Sequence, residues 1–299
     1  MFADDTNLLI THKNCHELIR LGNLELANIQ TYMNCNKLLI NTDKTKAIIF
    51  HTPSTQLPNN LGNLKLSGEI IDIIKETKFL GLKIHEKLSW KKHMLDIKST
   101  LRKNTAICSK IKNQLNSKAF VDLYHTMIEC HIRYGVTSWC FGNTTIKNSL
   151  QRSCNRFLKM ALKCPAHILH DKMKEYKILS IDQIFLLEIG LAMFKLYNNS
   201  FPTALTNLFT PTTTAMTTRS RNKYTLSAPR IQLTKQSFNY KGPTIWNKIP
   251  DDVKYSNMSD GPFRSFNAFK TRLKSHILNM GITQSSFILN QIYYPNEYF

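Results

Sequence analysis

The sequence predicts an α+β protein in which a small antiparallel sheet with one helix precedes a longer helical region and a small C-terminal module. Three observations support this. Short β-like runs separated by turn residues fill residues 1–85, and apolar residues at helical spacing fill residues 86–205. A Thr-rich stretch without apolar period lies within residues 206–222, which indicates an exposed linker before residues 223–299.

The first segment combines turns, strand-like runs and one helix. Residues 4–7 interrupt an apolar run and suit a tight hairpin turn. A helix is expected after Asn14, with Asn14 as its N-cap and Glu17 three residues later. Strand-like runs follow at residues 38–40, 47–50, 64–66 and 70–74, and Ser67-Gly68-Glu69 between the last two runs predicts a hairpin turn. Together they predict a helix packed on an antiparallel sheet.

The region after residue 85 predicts helices. Met94, Ile97 and Leu101 recur on one face of the first helix, whereas lysines and arginines lie off that face. Further helices are expected at residues 119–133, 146–162, 166–176 and 181–197. Beyond the linker, Phe266, Phe269 and Leu273 mark a last amphipathic helix.

The charge of the chain is strongly basic and uneven. Its 299 residues contain 40 Lys+Arg against 20 Asp+Glu, a net of +20, of which residues 1–85 contribute +1, residues 86–205 contribute +11 and residues 206–299 contribute +8. Because unpaired lysines and arginines stay at the surface, nucleic acid is the expected partner. A content of 42% hydrophobic residues excludes a disordered basic tail.

The cysteines and the apolar stretches indicate the compartment. Seven cysteines without a CxxC pair fit a reduced intracellular compartment, nucleus or cytoplasm. Asp4 and Asp5 stand where a secretory signal would need basic and then apolar residues, so we expect no secretion. The most apolar stretch, residues 184–194, contains Glu188 and is too short to span a bilayer, so no membrane contact is expected.

Two adjacent aspartates form the first candidate site. Asp4 and Asp5 repel each other at a hairpin tip, and a divalent cation would relieve that repulsion. Oxygen ligands favour Mg²⁺ or Mn²⁺, and a pair of such ions can clamp the attacking and leaving oxygens of a phosphoryl transfer. The alternative is an ordinary acidic turn or a helix N-cap.

A series of short motifs in a defined order surrounds this candidate site. The motifs are Phe2-Ala3-Asp4-Asp5, Asn36-Lys37-Leu38-Leu39-Ile40-Asn41, Lys44-Thr45-Lys46, Phe79-Leu80-Gly81, Leu88-Ser89-Trp90, Tyr134-Gly135, Asn155-Arg156 and Trp246-Asn247-Lys248-Ile249-Pro250. With them the chain resembles the reverse transcriptases of non-LTR (LINE-type) retrotransposons, most closely the jockey-like group. The resemblance extends over roughly residues 1 to 280.

The resemblance implies an architecture and an activity. Residues 1–85 would be the C-terminal part of a palm domain, residues 86–205 a basic helical thumb, and residues 223–299 a small C-terminal module. The activity would be RNA-directed DNA polymerisation from deoxynucleotides on an RNA template and a DNA primer, with Mg²⁺ or Mn²⁺ as cofactor. Asp4 and Asp5 would be metal ligands in the parent enzyme, beside a further carboxylate of the family's palm.

The resemblance also gives roles to residues further along. Lys44 would lie near the leaving pyrophosphate as a general acid, and the alternative is a solvated turn lysine. Phe79 and Gly81 would hold the primer end, and the alternative is an ordinary hairpin with a packed Phe. The family's fingers and a further palm carboxylate are not in this sequence, so we expect that this chain alone does not polymerise.

Two other interpretations remain open. One is a non-catalytic RNA- or DNA-binding protein derived from a retrotransposon, and the other is a pseudogene fragment without a stable fold. For binding, the candidates are Lys98, Arg102, Arg152 and Arg156, which form two pairs at i, i+4 spacing on expected helices. The alternative for these four residues is a solvated charged face.

One cluster of cysteines and histidines could in principle form a zinc site. Cys154, Cys164, His167 and His170 form a C-x9-C-x2-H-x2-H array. Because this spacing fits no standard zinc finger and Cys154 lies in an expected helix, we expect buried thiols and surface histidines instead.

Overall fold

The computed structural model describes residues 6–211, 224–226, 232–235, 237–255 and 265–293, with no side chains described at 232–233, 282–284 and 286–293. The described chain is mostly helical and contains two small antiparallel sheets, which confirms the α+β class. It divides into two compact units, Met1–Trp90 and Lys91–Phe299. The predicted linker lies largely outside the described residues.

The first unit is organised around helix α1 (Cys15–Cys35). Its N-cap is Asn14, whose side chain accepts hydrogen bonds from the backbone N–H groups of His16 and Glu17, as predicted. Asn23 fixes the helix to the neighbouring strand, because its Nδ2 donates to the Asn63 carbonyl at 3.0 Å and its Oδ1 accepts from the Lys65 N–H at 2.8 Å. The core of the unit comprises Ile19, Ile49, Leu64, Leu66 and Ile71.

The strands of the first unit form two separate hairpins. Strand β1 (Leu64–Leu66) pairs with β2 (Glu69–Ile71), and β3 (Glu76–Phe79) pairs with β4 (Leu82–His85), both antiparallel. Each connecting pair of residues has positive φ, at 54° and 85° for Ser67 and Gly68 and at 44° and 82° for Leu80 and Gly81. Such turns match the twist of a two-residue hairpin.

The expected strands at residues 38–40 and 47–50 are wrong. In the described part of the first unit, only Ala47 takes part in pairing there, as an isolated parallel bridge to Ile73. Leu39 is fully exposed. An apolar run becomes a strand only where a partner strand accepts its backbone hydrogen bonds. Of the expected turn at residues 4–7, Asp4 and Asp5 lie outside the described residues.

The second unit is helical in its described residues. The helices are α2 (Lys91–Lys110), α3 (Ser117–Tyr124), α4 (Cys130–Arg133), α5 (Val136–Trp139), α6 (Thr144–Ala161), α7 (Leu169–Glu175), α8 (Ile181–Tyr197), α9 (Thr203–Thr206), α10 (Gln232–Lys235), α11 (Phe238–Lys248), α12 (Asp251–Lys254) and α13 (Phe266–Tyr293), with a π-helical turn (His125–Glu129) between α3 and α4. Among the described residues no helix is long and apolar enough to cross a membrane.

Helix α8 is the centre of the second unit. It is apolar on nearly all sides and packs against α4, α5, α11 and α13, which is why it shows little amphipathic pattern. Its start is fixed by a capping box in which Ser180 and Gln183 exchange hydrogen bonds. At Gly190 a Cβ would lie 2.5 Å from Leu273 Cδ2, so the glycine allows α13 to approach closely.

Candidate nucleic-acid interface

The predicted metal ligands cannot be placed. Asp4 and Asp5 lie outside the described residues, so a Mg²⁺ or Mn²⁺ site at these carboxylates stays a prediction. Within the described ranges, no group of three or more His, Cys, Asp or Glu side chains could hold a metal ion.

The other predicted residues of the first unit lie in two turns. Lys44 is exposed in a turn where Asn41 Oδ1 accepts a hydrogen bond from its N–H at 3.0 Å. Phe79 is half-buried at the end of β3, and Gly81 is exposed with a φ of 82° in the following turn. That φ belongs to the left-handed region, so the turn itself favours glycine at this position. Their proposed roles toward pyrophosphate and primer stay predictions.

The four predicted binding residues of the second unit lie on two helices in contact. Lys98 and Arg102 are on α2, Arg152 and Arg156 are on α6, and the two helices pack against each other. The apolar faces of both helices are buried, so the arginines point to solvent. Exposed Lys103 and Lys159 extend the two rows. We name this set, comprising Lys98, Arg102, Lys103, Arg152, Arg156 and Lys159, the α2–α6 basic surface.

The acidic residues of the second unit do not neutralise this surface. Residues 91–299 carry 30 basic and 11 acidic groups, a net of +19, whereas residues 1–90 carry a net of +1. Among the described residues, none of the six basic side chains takes part in an ion pair. Glu129 and Glu188 instead pair with Arg133, and Asp182 pairs with Lys147. A polyanion would therefore meet uncompensated positive charge on α2 and α6.

Two of the three tryptophans serve the core rather than this surface. Trp139 and Trp246 are fully buried, and Trp139 Nε1 donates to the Tyr134 carbonyl at 3.0 Å. Trp246 lies parallel to Tyr197 with ring centroids 6.1 Å apart. Since both indoles are buried, neither can stack on a nucleobase, and contact through the α2–α6 basic surface would be made to phosphates.

A buried ionic cluster is a feature that the sequence analysis missed. Glu129 has an 8% exposed side chain and binds His125 Nδ1 at 2.5 Å and the Arg133 guanidinium, which also binds Glu188 on α8. Burial alone would raise the pKa of Glu129, but the hydrogen bonds from His125 and Arg133 hold it below the ordinary value. The i, i+4 spacing of residues 125, 129 and 133 is the signal that could have revealed it.

A buried lysine is the second missed feature. Lys241 on α11 is only 1% exposed, and its Nζ lies 4.9 Å from the centre of the Phe141 ring. Burial first, and then the nearby charge of Lys147, lowers the pKa of Lys241 to about 7. Lys147 is itself buried and pairs with Asp182 at 2.7 Å. No local pattern distinguishes Lys241 from the surface lysines.

The structure does not bring the array Cys154, Cys164, His167 and His170 together as a group of metal ligands. Cys154 is buried in α6, and burial raises the pKa of its thiol to about 12. His167 and His170 are exposed, and Cys164 is half-buried. All four residues belong to the described chain, and they do not form a group that could hold a metal.

Comparisons with known proteins find no relative of this chain. No model of a protein family matches the sequence, and no curated protein and no solved structure matches it either. The site therefore has to be interpreted from its own geometry and charge.

Proposed function

We propose that this chain binds nucleic acid without sequence preference, through phosphate contacts of the α2–α6 basic surface. The observation that carries the proposal is the set of six basic side chains on two packed helices, none of them ion-paired within the described chain. Phosphate contacts made by lysine and arginine supply most of non-specific binding to nucleic acids.

The spacing of these residues supports the same proposal. Lys98 and Arg102 are four residues apart on α2, and so are Arg152 and Arg156 on α6. Like charges at this spacing destabilise a helix by about 0.2 to 0.5 kcal/mol per pair. A row of phosphates would relieve the repulsion in both helices, so the binding partner stabilises an arrangement that the free protein holds at a cost.

The motif order supports a more specific proposal about origin. On the resemblance to non-LTR retrotransposon reverse transcriptases, residues 1–85 are the end of a palm and residues 86–205 the thumb. Asp4 and Asp5 then hold Mg²⁺ or Mn²⁺ in the parent enzyme, and RNA template, DNA primer and deoxynucleotides are its ligands. The binding proposal does not depend on this origin, because it rests on the charge of α2 and α6.

Binding is tested with a fluorescent 20-bp duplex DNA and an RNA–DNA hybrid of the same length. The test variant is Arg102→Gln/Arg152→Gln/Arg156→Gln, which we expect to bind both duplexes about tenfold more weakly or worse at low salt. Its matched control removes three exposed, unpaired lysines of the first unit, as Lys13→Gln/Lys65→Gln/Lys75→Gln. Equal affinities of the two triple variants would overturn the proposal.

Polymerisation is tested in parallel by primer extension. The purified chain is given an RNA template with a DNA primer, deoxynucleotides and Mg²⁺, and we expect binding without extension. Two neighbouring carboxylates from one turn cannot surround a pair of ions about 3.5 to 4 Å apart. Template-dependent extension would overturn this expectation and leave the binding proposal intact.

A further inference from the structure

Helices α7 and α13 meet at a small cleft in the second unit. Gln183 Nε2 donates to the Ile277 carbonyl at 3.2 Å, which fixes α13 to the first turn of α8. The next residue of α13, Leu278, lines the cleft. The other lining residues are His170, Met173, Lys174, Ile178 and Gln183. The middle of α13 is thereby held beside Lys174 of α7.

A row of lysines leads along α13 toward this cleft. Lys270, Lys274 and Leu278 follow one another at i, i+4 spacing and share one ridge of the helix. Lys274 therefore lies one turn from the point where Leu278 contacts the cleft. Lys177, in the connection between α7 and α8, lies close enough to Lys274 to interact with it electrostatically.

The carboxylate that acts on Lys274 is already engaged in ion pairs. Besides Lys177 and Lys270, Glu129 and Arg133 act on Lys274, and they are held by each other, by His125 and by Glu188. On α7, Glu175 pairs with Lys172 at 2.8 Å, and Asp171 is exposed. Among the described residues, Lys174, Lys177, Lys270 and Lys274 take part in no ion pair.

The surroundings of Lys274 make its positive charge unfavourable in the free protein. The side chain of Lys274 is half-buried, and burial is the largest effect that lowers its pKa. The charge of Glu129 raises this pKa, whereas the charges of Arg133, Lys270 and Lys177 lower it further. A group in such surroundings gains more from a nearby anion than a fully solvated lysine does, because its charge is already partly desolvated. The phosphates of a nucleic-acid backbone supply anions at a regular spacing.

We infer that Lys174, Lys177, Lys270 and Lys274 form a second phosphate-binding surface, the α7–α13 basic surface, which takes the phosphodiester backbone of nucleic acid. This inference rests on the proposed function and adds contacts that the α2–α6 basic surface does not provide. No phenylalanine, tyrosine or tryptophan is among the residues that line the cleft, so we expect contacts to backbone phosphates rather than to bases.

The test is the salt dependence of binding to the same 20-bp duplex. The variant Lys174→Gln/Lys177→Gln/Lys270→Gln leaves half-buried Lys274 in place to protect the fold, and its thermal unfolding midpoint should match that of wild type. Each lost phosphate contact reduces the slope of log Kobs against log salt by about 0.9, so the slope should become shallower by about 2.7. The first-unit triple variant, with the same loss of charge, should keep the wild-type slope.

The possible outcomes separate the two proposals. A slope unchanged by the three lysine substitutions, together with a shallower slope in the arginine triple variant, would overturn the inference and leave the proposed function standing. A slope reduced equally by the first-unit variant would also overturn it, because net charge alone would then explain the effect. Absence of any binding by wild type would refute the proposed function and the inference with it.

Discussion

Replacement of the buried lysine by methionine should change how the stability of the protein depends on pH. Lys241→Met keeps the length and most of the volume of the side chain but removes its charge. In the wild type the pKa of Lys241 is lowered from 10.5 to about 7 in the folded protein. Between these values the unfolded chain binds more protons than the folded one, so the free energy of unfolding rises with pH.

The size of the effect follows from the two pKa values. For each proton taken up on unfolding, the free energy of unfolding rises by about 1.4 kcal/mol per pH unit. Because Lys241 is still partly protonated in the folded protein near pH 7, it should raise the free energy of unfolding by about 2 kcal/mol between pH 7 and pH 9. The groups that face it are the Lys147–Asp182 pair, Lys235 and Cys140, whose thiol has a pKa raised to about 12 by burial and stays protonated in this range. The expected change therefore follows from Lys241, whose pKa is lowered to about 7.

The assay is urea unfolding at pH 7, 8 and 9, followed by circular dichroism. Lys241→Met should be more stable than wild type at pH 7, and its advantage should shrink by about 2 kcal/mol by pH 9. The control is Lys195→Met, which changes an exposed lysine whose Nζ lies 5.2 Å from the centre of the Phe266 ring. If the free energy of unfolding changed with pH in parallel for wild type and Lys241→Met, the reasoning would be refuted.

Three further substitutions test the packing. Glu129→Gln should lower the free energy of unfolding by about 2 kcal/mol at pH 7, because charged hydrogen bonds to Arg133 and His125 are lost. Since the pKa of Glu129 is lowered in the folded protein, the difference from wild type should vanish as the pH falls through that folded-state pKa. A difference that stays constant down to pH 2 would contradict this prediction. Gly190→Ala should cost about 1 to 3 kcal/mol in urea unfolding, because its Cβ would meet Leu273, and an unchanged midpoint would show that α13 can move aside. Asn23→Ala should destabilise the first unit by about 1 to 3 kcal/mol, because two hydrogen bonds to residues 63 and 65 are lost. Hydrogen exchange should show faster amide exchange in α1 and an unchanged exchange rate in α8.

Local structure could be predicted where the signal is local. The N-cap of α1 at Asn14 and the hairpin turn at Ser67 and Gly68 were both predicted, since each depends on a side chain or φ angle within a few residues. The expected strands at residues 38–40 and 47–50 failed because pairing depends on a partner elsewhere in the chain.

The same distinction applies to the candidate interface. The exposure of Arg102, Arg152 and Arg156 follows from helical periodicity, and the structure agrees with it. The contact of Arg133 with Glu188 joins residues 55 positions apart, so no periodicity reveals it. The burial of Lys241 beside Phe141 likewise depends on how the helices pack, and lysine is by default a surface residue.

The central claim is that the second unit holds a nucleic-acid backbone, and the salt slope of wild-type binding tests it most directly. Affinity for a 20-bp duplex is measured between 50 and 300 mM salt. With six basic side chains on the α2–α6 basic surface, the slope of log Kobs against log salt should be at least as steep as about −5. A slope near zero, or no binding at the lowest salt, would contradict the account.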